Sequence, residues 1–472
     1  MQKIFILLIW FLSFPLAYGQ EWQQVGDFNY PPTCFYSDTI DQFLYIGGPF
    51  VSVGADTMNS ICKWDGQFFY AMGNPRKTSC GNVNCNPTNT IIRYHNEIYI
   101  GGTMDTINGK ITNGIAKWDG ITWSAVGDNS YPHTLTDYWV YASFIKDDKL
   151  YVTGGFPTAG ADTCNSVAYW DGTNWSGMNF PSDFDGETPK NFGIVFYKGE
   201  WYVGGNCLNY INGNLNHDIA RYDGISWKQV GSGLKGGFSF INDMVVYQDA
   251  LYVCGYFRSI DGNAGNKIMR WDGDKWHDVA GGLCSPDDIA TDMMVYEDKL
   301  YVVGIFDCSA NNLPTSNVAV WNGVEWCSVG KSYFNNKILS ITAWKGEIYV
   351  GGGFTEVGGH SVKYFAKYIG DHSTDTCSAS VAVAPGLQQA RQLLINPNPV
   401  KDQLTISASL DSPLPKAWRV FSSAGQEVTA LVNSVGSSRV QQVLEVQKLP
   451  AGMYFLQGLG QTGMQIGRFV KM

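Results

Sequence analysis

One phrase repeats seven times along the 472 residues, at intervals of 48 to 54 positions. It reads aliphatic–Tyr–Val–Gly–Gly and begins at Leu44, Ile98, Leu150, Glu200 (the weakest copy), Leu251, Leu300 and Ile348. Roughly 20 residues later each copy is answered by aromatic–Asp–Gly, at Trp64, Trp118, Trp170, Tyr222 and Trp271, then as Trp321-Asn322-Gly323 and the degenerate Tyr368-Ile369-Gly370. A unit of this length, rich in glycine turns and alternating apolar residues, holds about four short strands and cannot bury its own faces. Units of that kind must pack on one another, and a fixed period near 50 residues with four strands per unit predicts a β-propeller.

The clearest unit predicts strands at Ile338–Trp344, Glu347–Gly352 and Val362–Tyr368, with Lys345-Gly346 as a two-residue turn. In other units Asp-Gly leads to a fourth strand, as in Trp118-Asp119-Gly120 followed by Ile121 to Gly127. Asp-Gly between β-rich runs predicts a type I′ hairpin, in which both central residues have positive φ. The glycine pair of the second strand suits close backbone approach. The fourth-strand tryptophans (Trp123, Trp175, Trp227, Trp276 and Trp326) suit a wedge between neighbouring units. The seventh unit lacks a fourth strand after Tyr368, and Trp22-Gln23-Gln24-Val25-Gly26 matches Trp123-Ser124-Ala125-Val126-Gly127. The N-terminal strand is therefore expected to complete the seventh unit, where it would cover an edge that could otherwise template aggregation. The expected fold is all-β: a seven-bladed propeller of four-stranded blades over residues 21–370, closed by its N-terminal strand.

Short turns between first and second strands, and between third and fourth, would share one smooth face. Long and varied segments would share the other: Asn74 to Pro87, Asp128 to Asp137, Asn179 to Pro189 and Gly281 to Asp288. Loops on a rigid scaffold commonly carry function. Those segments and their neighbours hold exposed-type aromatics suited to glycan or peptide contact, with Tyr131, His133, Tyr138, Phe184 and Tyr333 as the candidate ligand-binding residues.

Aromatics form 14% of the chain and charged residues only 16%, which suits aromatic-packed sheets and not disorder. The net charge of -10 argues against a nucleic-acid partner, because phosphate binding needs clustered Lys and Arg. Residues 1–20 read as a signal peptide, with Lys3, an apolar run from Ile4 to Leu12, and small residues before a cleavage point after Gly19 or Gln20. No other stretch is apolar enough to span a bilayer as a helix. Export exposes the 11 cysteines to oxidising conditions, and Cys80–Cys85 is the expected disulfide. The six histidines are scattered and do not accompany cysteines, so neither a metal site nor a cofactor is expected.

The pattern stops at 371–394, a Ser-, Thr-, Ala- and Gln-rich stretch expected to be a linker. Residues 395–472 then read as a small β-sandwich. They include Asn396-Pro397-Asn398-Pro399, a Gly425-Gln426 turn, Leu449-Pro450-Ala451-Gly452-Met453-Tyr454 and the terminal Val470-Lys471-Met472. This order of motifs resembles the type A C-terminal sorting domain of type IX secretion cargo in Gram-negative bacteria of the Bacteroidota. The resemblance implies passage across the outer membrane, contact with the secretion machinery and its sortase, removal of the domain, and release or attachment at the cell surface. Asn396, Pro397, Asn398, Pro399, Gly425, Gly452, Tyr454 and Lys471 carry it. The repeats resemble kelch-like propellers and the propeller of fungal cortical polarity-marker proteins, a likeness that implies a fold and not an activity.

No P-loop, Gly-x-Ser-x-Gly elbow or His-Glu-x-x-His sequence is present. Arg221 and Arg270 occupy the position that holds Lys63, Lys117 and Lys367 in other units, which marks a repeating solvent-facing site and not a catalytic arginine cluster. The expected function is therefore a secreted or surface-attached, non-enzymatic binding or adhesion module for a glycan or protein. The alternative is a glycan hydrolase or lyase on the same scaffold.

Overall fold

The computed structural model describes residues 21–77, 87–127, 139–160, 162–181, 189–211, 214–236, 239–283, 288–307, 315, 317–330, 333–370, 394–397, 400–407, 418–422, 428–437, 441–460 and 463–471. Among them there is no α-helix, and the chain divides into two compact units, residues 1–379 and 380–472.

The first unit contains seven four-stranded antiparallel sheets, one per sequence repeat. The third is typical: Trp139–Lys146, Lys149–Gly155, Val167–Trp170 and Trp175–Gly177 pair in chain order. In the seventh sheet the order is Ile338–Trp344, Glu347–Gly352, Phe365–Tyr368 and then Trp22–Gln24. The N-terminal strand thus supplies the fourth strand out of sequence, with Trp22 opposite Tyr368 and Gln24 opposite Ala366. Small two-stranded ribbons occupy segments between second and third strands, for example Glu356–Val357 with His360–Ser361, and that of the second repeat is joined by Pro75–Arg76 from the preceding connector.

Of the two kinds of short hairpin, one differs from the sequence expectation. Turns between first and second strands have positive φ at both central residues, as at His95-Asn96, Gln248-Asp249 and Lys345-Gly346, and these are the type I′ turns. In the Asp-Gly turns only the glycine has positive φ (Gly66 109°, Gly120 103°, Gly224 93°), the pattern of a type II′ turn. The aspartate works through its side chain. Asp65 Oδ1 accepts from the backbone N–H groups of Gln67 and Phe68, both at 2.7 Å, and Asp119 does the same for Ile121 and Thr122. Capping by the carboxylate replaces the second left-handed residue, and these hydrogen bonds hold the Asp65 and Asp119 carboxyls below their ordinary range.

Neighbouring sheets are joined by two repeated contacts. The fourth-strand tryptophan packs on the preceding sheet and donates its indole N–H to a backbone carbonyl there: Trp175 to Val126 at 3.0 Å, Trp227 to Met178 at 2.8 Å, Trp326 to Val279 at 2.9 Å. The last aromatic of the first strand donates to the hairpin of the following sheet: Tyr94 to the Asp148 carbonyl, Tyr197 to Asp249 and Tyr247 to Asp298. Between the seventh sheet and the first, Trp344 packs on Trp64 at 5.0 Å and Lys345 donates to the Asp65 carbonyl. Between the first and second, a largely buried Arg93 is bound by Asp38 and Asp41.

One glycine of each repeat is fixed by crowding. A Cβ on Gly154 would lie 1.7 Å from the Trp139 carbonyl oxygen, on Gly255 2.1 Å from that of Phe240, and on Gly304 2.0 Å from that of Ile289. The cause lies on the facing strand. The first strands of sheets three to seven each hold an extra residue opposite this glycine, at Tyr141, Phe192, Asn242, Thr291 and Leu339. Each is a β-bulge, which bends the strand towards its neighbour and re-aims the extra side chain.

In the second unit, Leu394–Asn396, Gln403–Ser407, Gln441–Glu445 and Asn433–Ser437 form one sheet. Trp418–Ser422, Gly452–Gly460 and Gly463–Lys471 form the other. Leu404, Ile406 and Leu444 from the first meet Val420, Leu456 and Phe469 from the second in one apolar core.

Candidate functional site

The bulges determine which side chains gather at the connector ends of the first strands. Trp139 and Lys190 are the first residues of their strands, next to the connectors 128–138 and 182–188. Two positions on, the bulged Tyr141 and Phe192 meet edge to face at 4.9 Å, and Trp139 lies 5.9 Å from Tyr141. All three aromatics are half-buried. Lys77 and Lys190 place their ammonium groups 5.1 and 5.3 Å from the Trp139 ring centre. The Trp139 indole N–H is enclosed and has no hydrogen-bond partner among the described residues. The bulged residues of the next two sheets are polar and tied down: Asn242 donates to the Ala290 carbonyl at 2.8 Å, and Thr291 to that of Ile338 at 2.8 Å. Among the described bulge positions, aromatic side chains are thus found at the third and fourth sheets.

One residue further along the strand lies a pair of carboxyl groups. Asp243 of the fifth sheet is hydrogen-bonded to Asp292 of the sixth and also accepts the Met293 N–H at 2.9 Å. Asp292 accepts from Ser340 Oγ at 2.7 Å and from the Ile341 N–H at 2.9 Å, both on the seventh sheet. Burial first, and then the Asp292 charge, push Asp243 well above the carboxylate range. Burial raises Asp292 as well, opposed by the hydrogen bonds it accepts. Asp243 therefore keeps a proton that Asp292 accepts, and the pair fastens three sheets together.

The residues singled out in the sequence are placed as follows. Tyr131, His133, Tyr138 and Phe184 lie outside the described residues, as do Cys80 and Cys85. Tyr333 is 57% exposed on the connector to the seventh sheet, where its carbonyl accepts the Gly358 N–H at 2.8 Å. The sequence reading missed Trp139, Tyr141, Phe192, Lys77 and Lys190. Their signal was proximity, since Trp139 directly follows Tyr138 and Lys190 closes the connector that holds Phe184. The repeating basic position behaves as a surface feature: Lys117 pairs with Glu97, Arg221 with Glu200 and Lys367 with Glu347, at 2.9, 2.6 and 3.0 Å. Cys327 is disulfide-bonded, whereas Cys34, Cys62, Cys164 and Cys254 are free and buried. Burial raises all four thiols, that of Cys164 to about 12, so none supplies a thiolate at neutral pH. Among the described residues no group of three or more His, Cys, Asp or Glu is arranged to hold a metal ion.

In the C-terminal unit the described sorting-type residues are placed as follows. Gly452 pairs opposite Lys471, and Tyr454 stacks on Phe469 at 5.5 Å while donating to the Pro450 carbonyl at 2.9 Å. Asn396 is exposed at the end of its strand, next to Pro397. Asn398, Pro399 and Gly425 lie outside the described residues.

Residues 394–472 match the family described as the secretion system C-terminal sorting domain. The chain is thus cargo of the type IX pathway of Bacteroidota-type bacteria. It is a secreted or outer-surface protein that engages the type IX machinery through this tail. No helix among the described residues is long and apolar enough to cross a membrane. No curated protein matches the chain. Among solved structures it is similar to the extracellular domain of a protein from B. thetaiotaomicron described as a hybrid two component system, at 14% identity and a TM-score of 0.47. That similarity covers 97% of this chain and 60% of the other, so the chain spans less than two thirds of that structure.

Proposed function

We propose that the first unit is a closed seven-bladed propeller of kelch-like type. In this reading it acts, after export, as a non-enzymatic binding module for an extracellular glycan or protein. Support for closure comes from the seven equivalent sheets, the repeated tryptophan and tyrosine contacts between neighbours, and the Trp64–Trp344 contact that links the last sheet to the first. The observation that carries the binding reading is the half-buried Trp139–Tyr141–Phe192 cluster at the connector ends of the first strands. Rigid aromatics supply contact area at low entropic cost, and a bulge places them more reproducibly than a loop tip would.

The chemistry of the acid pair favours binding over glycoside hydrolysis. A retaining enzyme separates its two carboxyl groups by about 5 Å and an inverting one by more, whereas Asp243 and Asp292 are in hydrogen-bonding contact and committed to neighbouring sheets. The test is a glycan and protein array on the purified chain, followed by Phe192→Leu, Tyr333→Ala and alanine at Tyr131, His133, Tyr138 and Phe184. Loss of about 2 kcal/mol is expected at a true anchor. Binding untouched by all of these substitutions would refute the face assignment. Turnover of a polysaccharide that one carboxyl variant abolishes would refute the non-enzymatic reading.

A further inference from the structure

Lys190 differs from three of the strand-borne cations of the first unit. Lys117, Arg221 and Lys367 each have a glutamate across the strand. Lys190 is exposed and has no carboxylate within ion-pair distance among the described residues, although the chain holds 42 acidic against 32 basic residues. Its ammonium lies 5.3 Å from the Trp139 ring centre, and that of Lys77 lies 5.1 Å from the same ring. A cation held over an indole has already given up much of its rotamer freedom, so less is lost when a ligand binds it. Beside it, Tyr141 and Phe192 meet edge to face, nearly at right angles.

We propose that this cluster is a binding site for an anionic saccharide, a sugar ring that carries carboxylate or sulfate, with Lys190 selecting the charge. The proposal rests on the binding reading above and adds the class of ligand. A pyranose has an apolar C–H face that packs on aromatic carbon, and an acidic substituent projects from the ring edge. Phe192 and Tyr141 match the first property and Lys190 matches the second. A neutral glycan would need the aromatics and gain little from the Lys190 ammonium group. On a surface of net charge -10, a cation site also discriminates by position, since acidic ligands are repelled elsewhere.

Titration calorimetry of the full chain tests this with four probes: an oligogalacturonate, its carboxyl-reduced form, a sulfated galactan oligosaccharide and its desulfated form. At least one acidic probe is expected to bind, about tenfold or more tighter than its neutral counterpart, and to weaken as salt is raised. Which acidic probe binds distinguishes carboxylate from sulfate. Lys190→Gln should lose about tenfold in affinity with an unchanged melting temperature, and Lys190→Arg should retain most of it. Equal binding of acidic and neutral forms would overturn the ligand class while leaving a binding module. Failure of both acidic probes, or wild-type affinity in Lys190→Gln, would overturn the site. Cleavage of a bound acidic probe, still dependent on Lys190, would support the ligand class and overturn the non-enzymatic reading.

Discussion

Replacing Asp243 by Asn should change how stability depends on pH, and in a direction the acid pair dictates. Asp243 holds its proton in the folded protein well above the pH at which an unfolded aspartate, near 3.8, has lost it. Between those two values the folded chain binds one more proton than the unfolded chain. The Asp243 contribution to stability therefore falls as pH rises through this window, by about 1.4 kcal/mol per pH unit for one proton, and is flat below 3.8. Asn reproduces the protonated acid: its amide oxygen can accept the Met293 N–H and its NH2 can donate to Asp292. The variant should match the wild type in mild acid and gain on it as pH rises, with that same slope. Carboxylates held low by their turns, such as Asp65 and Asp272, titrate identically in both proteins and cancel in the difference. Asp292→Asn should behave otherwise. It weakens an acceptor of the Ser340 hydroxyl and Ile341 N–H, at a cost of about 1–3 kcal/mol where Asp292 is ionised. Urea unfolding at stepped pH, from about 4 to about 8, measures both. A flat difference between Asp243→Asn and wild type, or one of opposite slope, would refute the shared-proton account.

Trp326→Ala should cost about 3–5 kcal/mol, because a fully buried ring and its hydrogen bond to Val279 are both lost. Trp326→Phe should cost about 1–3 kcal/mol through the orphaned carbonyl, and Ile225→Ala at a hairpin tip 87% exposed should stay within about 0.5 kcal/mol; denaturant midpoints at constant slope check all three. Deleting residues 21–26 removes the strand paired with Phe365–Tyr368 and should produce aggregation or a large loss of stability, read by light scattering and melting; a soluble variant with an unchanged melting temperature would count against the edge argument. Truncation after residue 393 removes the sorting domain and should trap the remainder in the periplasm, and appearance of the truncated chain in the medium or on the surface would contradict the role given to the tail.

The sequence by itself determined the number of units, the four strands in each, the out-of-order N-terminal strand and the sorting tail. Each is written in local patterns: alternation in strands, a tryptophan at a fixed place, a turn motif, a glycine where a carbonyl comes close. Its candidate residues Tyr138 and Phe184 belong to the connectors that lead into the strands of Trp139 and Phe192. Tertiary structure alone decided three things. The Asp-Gly turns resemble type I′ in sequence, yet the aspartate side chain caps the backbone and leaves a single left-handed residue. The bulges are silent in sequence, because one extra residue looks the same as a one-step shift of alternation, and only pairing against the second strand reveals that Tyr141 and Phe192 are additional. The acid pair and the lysine-flanked tryptophan join residues about 50 positions or more apart, since equivalent places on neighbouring repeats meet only when sheets pack side by side. A period in the sequence sets which residues are equivalent, and the packing of one sheet on the next sets which of them touch.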